Sequence, residues 1–219
     1  FLFILHNFCT AQTDTTFQKQ KVDDSAVYTL NPVVVISSRT LHKLSLSPFP
    51  VSFIPQSQIK QMQSRSTPEM LTGTPGIWMQ KTNHGGGSPF IRGLTGNQVL
   101  TLVDGIRLNN ATYRYGPNQY LSTIDPWSLF SAETLRSTGS VLFGSDAMGG
   151  VIYLQTEKPA YSENKRSIHG AFFTRAMSRN MEKTVGAKLI YSEKNLAGIV
   201  SGNFSEFGHI VAGNGKVQN

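Results

Sequence analysis

The stretch Val99-Leu100-Thr101-Leu102-Val103-Asp104-Gly105-Ile106-Arg107-Leu108 decides the fold that the sequence predicts. Five β-prone residues come first, and Asp104-Gly105 then supplies two positions that tolerate positive φ. Ile106 begins a second apolar run directly after this pair. The pattern is that of a buried β-hairpin, so the segment is expected to add two neighbouring strands to a sheet.

The sequence on either side of the hairpin predicts a compact α+β unit over residues 41–158. Besides the hairpin, the pattern predicts strands at residues 51–54, 77–82, 90–93, 133–136 and 151–156 and a helix at residues 55–62. A second short helix begins at Ser66 or Thr67, because Pro68 suits a first turn and Glu69 has capping-box spacing from Ser66. The predicted unit therefore has a small sheet and short helices.

Two segments of the unit break the strand pattern and are predicted to be loops. Residues 83–89 contain three consecutive glycines and Pro89, which interrupt helices and strands alike. Residues 109–121 contain three tyrosines. Because binding residues concentrate in loops presented by a rigid sheet, both loops are candidate ligand-binding segments. Asp125-Pro126 then predicts the cap and first turn of another short helix.

A glycine-rich run between the last two predicted strands carries a family resemblance. It reads Gly139-Ser140-Val141-Leu142-Phe143-Gly144-Ser145-Asp146-Ala147-Met148-Gly149-Gly150. Together with Pro89-Phe90-Ile91-Arg92-Gly93 and the hairpin, it resembles the plug domain of TonB-dependent outer-membrane receptors. The chain departs from the family pattern at Ser137-Thr138, where Gly-Pro is usual. The resemblance covers residues 30–156 and implies an α+β plug domain with a small mixed β-sheet.

Other function classes have less support in the sequence. The formal net charge is +7, but the basic residues are dispersed singly, which disfavours a nucleic-acid partner. Gly139 and Gly144 have the spacing of a phosphate-binding loop, yet Ser145 and Asp146 stand where that motif needs Lys and Ser or Thr. The five histidines show neither metal-ligand nor nucleophile-base spacing. The sequence thus nominates no catalytic residue, metal site or cofactor, and we expect no enzyme.

The N-terminal part of the sequence predicts export and a coupling segment. Residues 1–11 have the short apolar run and small-residue end of a secretory signal, with a buried strand as the alternative. Residues 12–40 form a polar leader that is expected to be flexible. A β-branched run in this leader could add as a strand to a partner's sheet edge, and it comprises Val33, Val34, Val35, Ile36 and Ser37. In the family, a similar segment is the TonB box, which pairs with the TonB energy-coupling protein in the periplasm. The alternative is a first strand of the plug.

After Pro159 the pattern changes to β-prone segments of about ten residues, at residues 167–177, 184–191 and 197–207. In the second segment one face carries Val185, Ala187, Leu189 and Tyr191, and the other carries Thr184, Gly186 and Lys188. Such alternation is typical of a lipid-facing strand, with a small soluble meander as the alternative. Residues 159–219 are therefore predicted to be the first strands of an incomplete transmembrane β-barrel. We expect the chain to be part of a larger receptor.

The resemblance implies a receptor in the outer membrane of a Gram-negative bacterium, whose plug gates energy-coupled uptake of an iron complex such as haem or a siderophore. Cobalamin and oligosaccharide ligands stay open. Ligand contacts are expected for His84, Tyr113, Arg114, Tyr115, Gln119 and Tyr120. Contacts between the plug and the barrel wall are expected for Arg92, Glu133 and Arg136. The alternative is a free-standing periplasmic plug-like binding or signalling module without transport.

Overall fold

The computed structural model describes residues 33–34, 42–81, 83–109, 116–162, 165–178, 182–211 and 217–218. Within them the strands are β1 Val33–Val34, β2 His42–Lys43, β3 Val51–Pro55, β4 Ile77–Gln80, β5 Ser88–Ile91, β6 Val99–Val103, β7 Ile106–Arg107, β8 Leu129–Leu135, β9 Gly150–Thr156, β10 Ser167–Met177, β11 Glu182–Ser192, β12 Ala197–Phe207, β13 Ile210–Val211 and β14 Val217–Gln218. The helices are α1 Gln56–Met62, α2 Thr67–Leu71 and α3 Ser140–Phe143, with 3₁₀ turns at Leu44–Leu46, Gly96–Gln98, Tyr120–Thr123 and Pro126–Ser128.

A five-stranded mixed sheet in the order β3-β8-β9-β6-β7 forms the centre of the α+β unit. Strands β6 and β9 are parallel, and the other neighbours in this sheet are antiparallel. A parallel pair requires a crossover connection, which here contains β7, β8 and α3. The small mixed sheet with short helices that the sequence predicts is therefore confirmed.

Both faces of this sheet are buried. On one face, Ile152 and Leu154 of β9 pack with α1 and α2 through Ile59 and Leu71. On the other face, Val151 packs in a second cluster that is completed by residues such as Leu100, Leu102, Leu135 and Phe143. Because side chains alternate between faces, a strand that is covered on both sides reads as a nearly continuous apolar run. This explains the nearly continuous apolar character of β6 and of residues 151–154 in β9.

The predicted hairpin is confirmed at β6 and β7. Its turn residues Asp104 and Gly105 have φ of +50° and +87°, as a tight hairpin turn requires. The Asp104 carboxylate also accepts hydrogen bonds from the Thr156 amide at 2.9 Å and from its hydroxyl at 2.6 Å. The turn is thereby fixed to the end of β9.

The predicted helix starts are confirmed, but one capping contact is not. Ser66 is the N-cap of α2, and Pro68 lies in its first turn. The Glu69 carboxylate accepts from the backbone amide of Arg65 at 2.8 Å, although the spacing predicts Ser66 as its partner. Farther along the chain, the Asp125 side chain accepts from the Trp127 amide at 3.1 Å and caps the 3₁₀ turn.

Several predicted boundaries are wrong, and those of β5 and β8 change the description of the sheets most. Ser88 and Pro89 were expected in a loop but belong to β5, which pairs with β4 in a two-stranded sheet. A strand that pairs on one side tolerates a proline, because the missing N–H can face away from the partner. Strand β8 begins at Leu129, four residues before the predicted strand. An irregular register between Leu129 and Ser131 exposes Phe130 and hides the alternation there.

Strands β10, β11 and β12 form an antiparallel sheet, which we call the strand sheet. Each has 11 residues, and β10 and β12 have the predicted bounds. The alternation predicted for β11 is confirmed: Val185 and Leu189 are exposed, whereas Thr184 is buried. No helix within the described ranges is long and apolar enough to cross a membrane. The predicted signal segment 1–11 and the leader apart from residues 33–34 lie outside the described residues.

Candidate functional site

A cavity of about 350 Å³ lies between the loops of the α+β unit and β12. We call it the seam cavity. The α+β unit lines it with Arg65, Ser66, Asn83, Gly85, Gly86, Gln119, Ser122, Thr123, Ile124, Asp125 and Pro126, and β12 lines it with Asn203, Ser205 and Phe207. Most of these side chains donate or accept hydrogen bonds. The cavity therefore offers hydrogen-bonding side chains beside apolar wall contributed by Ile124, Pro126 and Phe207.

The two predicted ligand-binding loops meet at this cavity. Asn83, Gly85 and Gly86 come from the first loop, and Gln119 comes from the second. The amide of Asn118 donates to the Ser88 hydroxyl at 3.1 Å, which ties the second loop to the start of β5, directly after the first loop. Tyr120 begins the following 3₁₀ turn. The other predicted residues of the second loop, Tyr113, Arg114 and Tyr115, lie outside the described residues.

An ionic network centred on Glu69 lies beside the seam cavity. Its carboxylate accepts from the Arg65 guanidinium at 2.6 and 2.8 Å and from Lys81 Nζ at 3.0 Å. Burial alone would raise the pKa of Glu69, but the hydrogen bonds from Arg65 and Lys81 outweigh it and lower the pKa to about 2. The same contact with Glu69 raises the pKa of Arg65. The network thus keeps Glu69 charged and fixes the backbone that precedes α2.

His84 is part of the same network. Arg65 Nη1 lies 3.2 Å from His84 Nδ1, and because a guanidinium can only donate, Nδ1 is the acceptor. The proton is then assigned to Nε2, which is buried and has no hydrogen-bond partner among the described residues. An iron-ligating role for His84 therefore requires the ring to turn out of this position. That role stays a prediction.

The residues predicted to contact a barrel wall lie in three different settings. Glu133 is buried in β8, between Phe53 and Tyr153 of the neighbouring strands. Arg136 follows β8, and its amide donates to the Pro50 carbonyl at 3.0 Å. Arg92 has φ of +56° in the turn after β5. Their contact with a barrel wall stays a prediction.

Sequence reasoning missed the side chains that join the strand sheet to the α+β unit. Arg175 of β10 donates to the Gln63 carbonyl at 2.9 Å. Lys188 of β11 lies 2.5 Å from the Glu157 carboxylate. The position of Lys188 on the polar face of its strand indicated an inward-facing contact. It did not identify Glu157 as the partner, because that residue is 31 residues away in sequence. Lys188 and Glu157 come together only because the strand sheet packs against the α+β unit.

The predicted coupling segment is described in part. Val33 and Val34 pair antiparallel with Lys43 and His42, while Val35, Ile36 and Ser37 lie outside the described residues. The first two residues are thus in extended backbone conformation. Their pairing with TonB stays a prediction.

The mixed sheet with two buried faces, followed by long antiparallel strands, defines a plug-like domain and the strands that adjoin it. Residues 43–151 match the family model of the TonB-dependent receptor plug domain. The vitamin B12 transporter BtuB of Vibrio vulnificus (strain CMCP6) is 34% identical over 147 residues, which are 66% of this chain and 24% of that transporter. This chain therefore belongs to the TonB-dependent receptor family.

Solved structures show the same fold. The pyoverdine outer-membrane receptor FpvA of Pseudomonas aeruginosa PAO1 aligns with a TM-score of 0.62 at 16% identity, covering 82% of this chain and 25% of that receptor. The alcaligin outer-membrane receptor FauA of Bordetella pertussis gives 0.61 at 15% identity, covering 80% and 29%. The chain thus spans about a quarter of the length of these relatives, all of which are described as transporters or receptors.

Proposed function

We propose that this chain is the N-terminal part of a TonB-dependent outer-membrane transporter, in which residues 41–158 are the plug that gates uptake of a scarce nutrient. The observation that carries this proposal is the docking of the plug on one face of the strand sheet while the other face is apolar. That outer face exposes Ile168, Phe172, Val185, Leu189, Val200 and Phe204. A sheet with an apolar outer face and a polar inner face suits a barrel wall in lipid.

In the proposed transporter, the coupling segment receives the energy for uptake from TonB. Residues 33–37 would add as a strand to the sheet edge of TonB in the periplasm. Val33 and Val34 are already in strand conformation, but they pair with Lys43 and His42 of the same chain, so coupling requires this pairing to be exchanged for the TonB edge. Proline lacks the N–H that such pairing uses, so Val35→Pro should abolish uptake by the receptor without lowering its outer-membrane level. Gln18→Pro, which changes the same leader outside the segment, is the control. Unchanged uptake with Val35→Pro rejects the coupling role.

For the ligand, we propose an iron complex such as haem or a siderophore, bound on the loops beside the seam cavity. The hydrogen-bonding side chains in the cavity wall, such as Arg65, Asn83 and Gln119, support binding of the polar groups that such complexes carry. A corrinoid is the second candidate, because the vitamin B12 transporter named above shares 34% identity with this chain.

One experiment separates these ligands. A host without its own TonB-dependent receptors, but with TonB, should be supplied with the receptor and then with haem, a ferric siderophore or cyanocobalamin as the sole source of iron or corrinoid. Growth identifies the ligand class. Ligand binding without growth in any medium would favour the plug-like binding or signalling module. If haem is the ligand, its absorbance shift on binding should weaken with His84→Ala, and absence of any shift removes haem from the list.

A further inference from the structure

We propose that β10 and β11 carry a recognition surface for the folded plug, and that Gly186 is the residue that shapes it. We call this surface the seating row. It consists of three contacts on the inner face of the two strands, made by Arg175, by Phe173 lying on Gly186, and by Lys188. The proposal concerns how the plug is held and does not depend on which ligand is transported.

The first contact is an arginine aimed at the plug by a buried carboxylate. Arg175 Nη2 lies 2.6 Å from Glu182 Oε1, and Glu182 is fully buried. Arg175 Nη1 then donates to the carbonyls of Gln63 at 2.9 Å and Ser64 at 3.3 Å, just after α1. The hydroxyl of Thr184 donates to Glu182 as well, at 2.6 Å. A buried ion pair adds little net stability, so its role here is to fix the direction of the guanidinium.

The second contact is aromatic. The rings of Trp127 in the plug and Phe173 in β10 are stacked, with centroids 3.8 Å apart and an interplanar angle of 6°. Phe173 pairs directly with Gly186 across the strands. A Cβ at position 186 would lie 2.2 Å from the Phe173 ring, so the ring lies flat on the sheet because this position has no side chain. Gly186 thus provides the space that the stack requires.

The third contact is a lysine two residues beyond Gly186. Lys188 Nζ lies 2.5 Å from Glu157 Oε2 and donates to the Trp127 carbonyl at 3.0 Å. Trp127 is therefore held by its ring on one side and by its carbonyl on the other. Because side chains alternate along a strand, Glu182, Gly186 and Lys188 all lie on one face of β11, and the three contacts form a line.

The plug residues in these contacts come from three separate parts of its sequence. Gln63 and Ser64 follow α1, Trp127 precedes β8, and Glu157 follows β9. They lie side by side only after the central sheet has formed. The seating row therefore recognises the assembled plug rather than one linear segment, and all of its residues lie within these 219 residues.

Trp127 can report on this contact, because the chain contains only one other tryptophan. In a Trp78→Phe background, the 219-residue chain in detergent micelles should show Trp127 fluorescence that iodide quenches several-fold less than in urea. Gly186→Ala should then increase the quenching constant at least twofold. Gly202→Ala is the matched control, since Gly202 lies on the outer face of β12 and no atom of the described residues lies within 4 Å of its added Cβ.

A second variant tests the seating row if Gly186→Ala disturbs the fold. If Gly186→Ala lowers the far-UV circular dichroism signal, Lys188→Met replaces it as the test, and it too should raise the quenching constant. The seating row is rejected if Gly186→Ala and Lys188→Met both leave Trp127 as shielded as in the background chain. It is also rejected if Trp127 in the folded background chain is quenched as strongly as in urea.

Discussion

Replacing Glu69 by Gln tests the ionic network beside the seam cavity. Burial raises the pKa of Glu69, but hydrogen bonds from Arg65 and Lys81 lower it from 4.5 to about 2 in the folded chain. A carboxyl group whose pKa is lower in the folded state stabilises that state when it is ionised. This stability is fully present above about pH 4.5 and is lost as the pH falls toward 2.

The size of the effect follows from the pKa. A change from 4.5 to about 2, at about 1.36 kcal/mol per pH unit, corresponds to about 3.4 kcal/mol. The side chains of Glu69, Arg65 and Lys81 are 23%, 18% and 32% exposed, so solvent screens their interaction. After this reduction, we expect Glu69→Gln to lower the free energy of unfolding by about 1 to 2 kcal/mol at pH 7.

The assay is urea unfolding of the 219-residue chain in detergent, followed by circular dichroism at pH 7, 5 and 3. The difference between the parent chain and Glu69→Gln should be largest at pH 7 and should shrink at pH 3. The control is Glu206→Gln, which changes an exposed carboxylate on β12, away from the network. An equal difference at pH 7 and pH 3 would show that the Glu69 charge does not stabilise the fold.

Three further substitutions test the core, a close approach of two strands and a cap. Leu154→Ala removes a fully buried side chain from β9 and should lower the free energy of unfolding in urea by about 2 to 5 kcal/mol; a loss below about 1 kcal/mol would contradict the packing. Gly150→Ala should lower the unfolding midpoint, because its Cβ would lie 2.4 Å from the Leu135 carbonyl oxygen, and an unchanged midpoint would contradict this approach. Asp125→Ala removes the hydrogen bond to the Trp127 amide and should cost about 0.5 to 2 kcal/mol by the same assay, whereas Asp125→Asn, which keeps an acceptor, should cost less.

Local signals in the sequence were sufficient for the hairpin and for the strand sheet. Asp104-Gly105 specifies the hairpin turn locally, because these two residue types tolerate the positive φ values that such a turn needs. The alternation around Val185 and Leu189 likewise shows which face of β11 is covered. Local signals could not predict the strand order of the five-stranded sheet. The parallel pairing of Val99 with Gly150 depends on the packing of a crossover and on no feature of either residue.

The candidate site was predictable only at the level of its loops. Both predicted loops reach the seam cavity, since glycines and prolines mark loops locally. The spacing of Ser66 and Glu69 predicted a capping box, but the guanidinium and amide of Arg65 compete for the carboxylate and hold it. The partner of Lys188 was not predictable, because nothing near Glu157 in the sequence signals a contact across the docked sheets.

The position of β9 in the central sheet has a consequence for the order of events during synthesis. Strand β9 lies between β8, which holds β3, and β6, which holds β7. Without β9 the sheet consists of two unconnected halves, and β9 is the last of the five strands to be made. Pairing of residues so distant in sequence is slow, because the intervening chain must first be closed into a loop. The five-stranded sheet therefore cannot close before Thr156 has been synthesised, and until then β3 with β8 and β6 with β7 stay as two separate strand pairs.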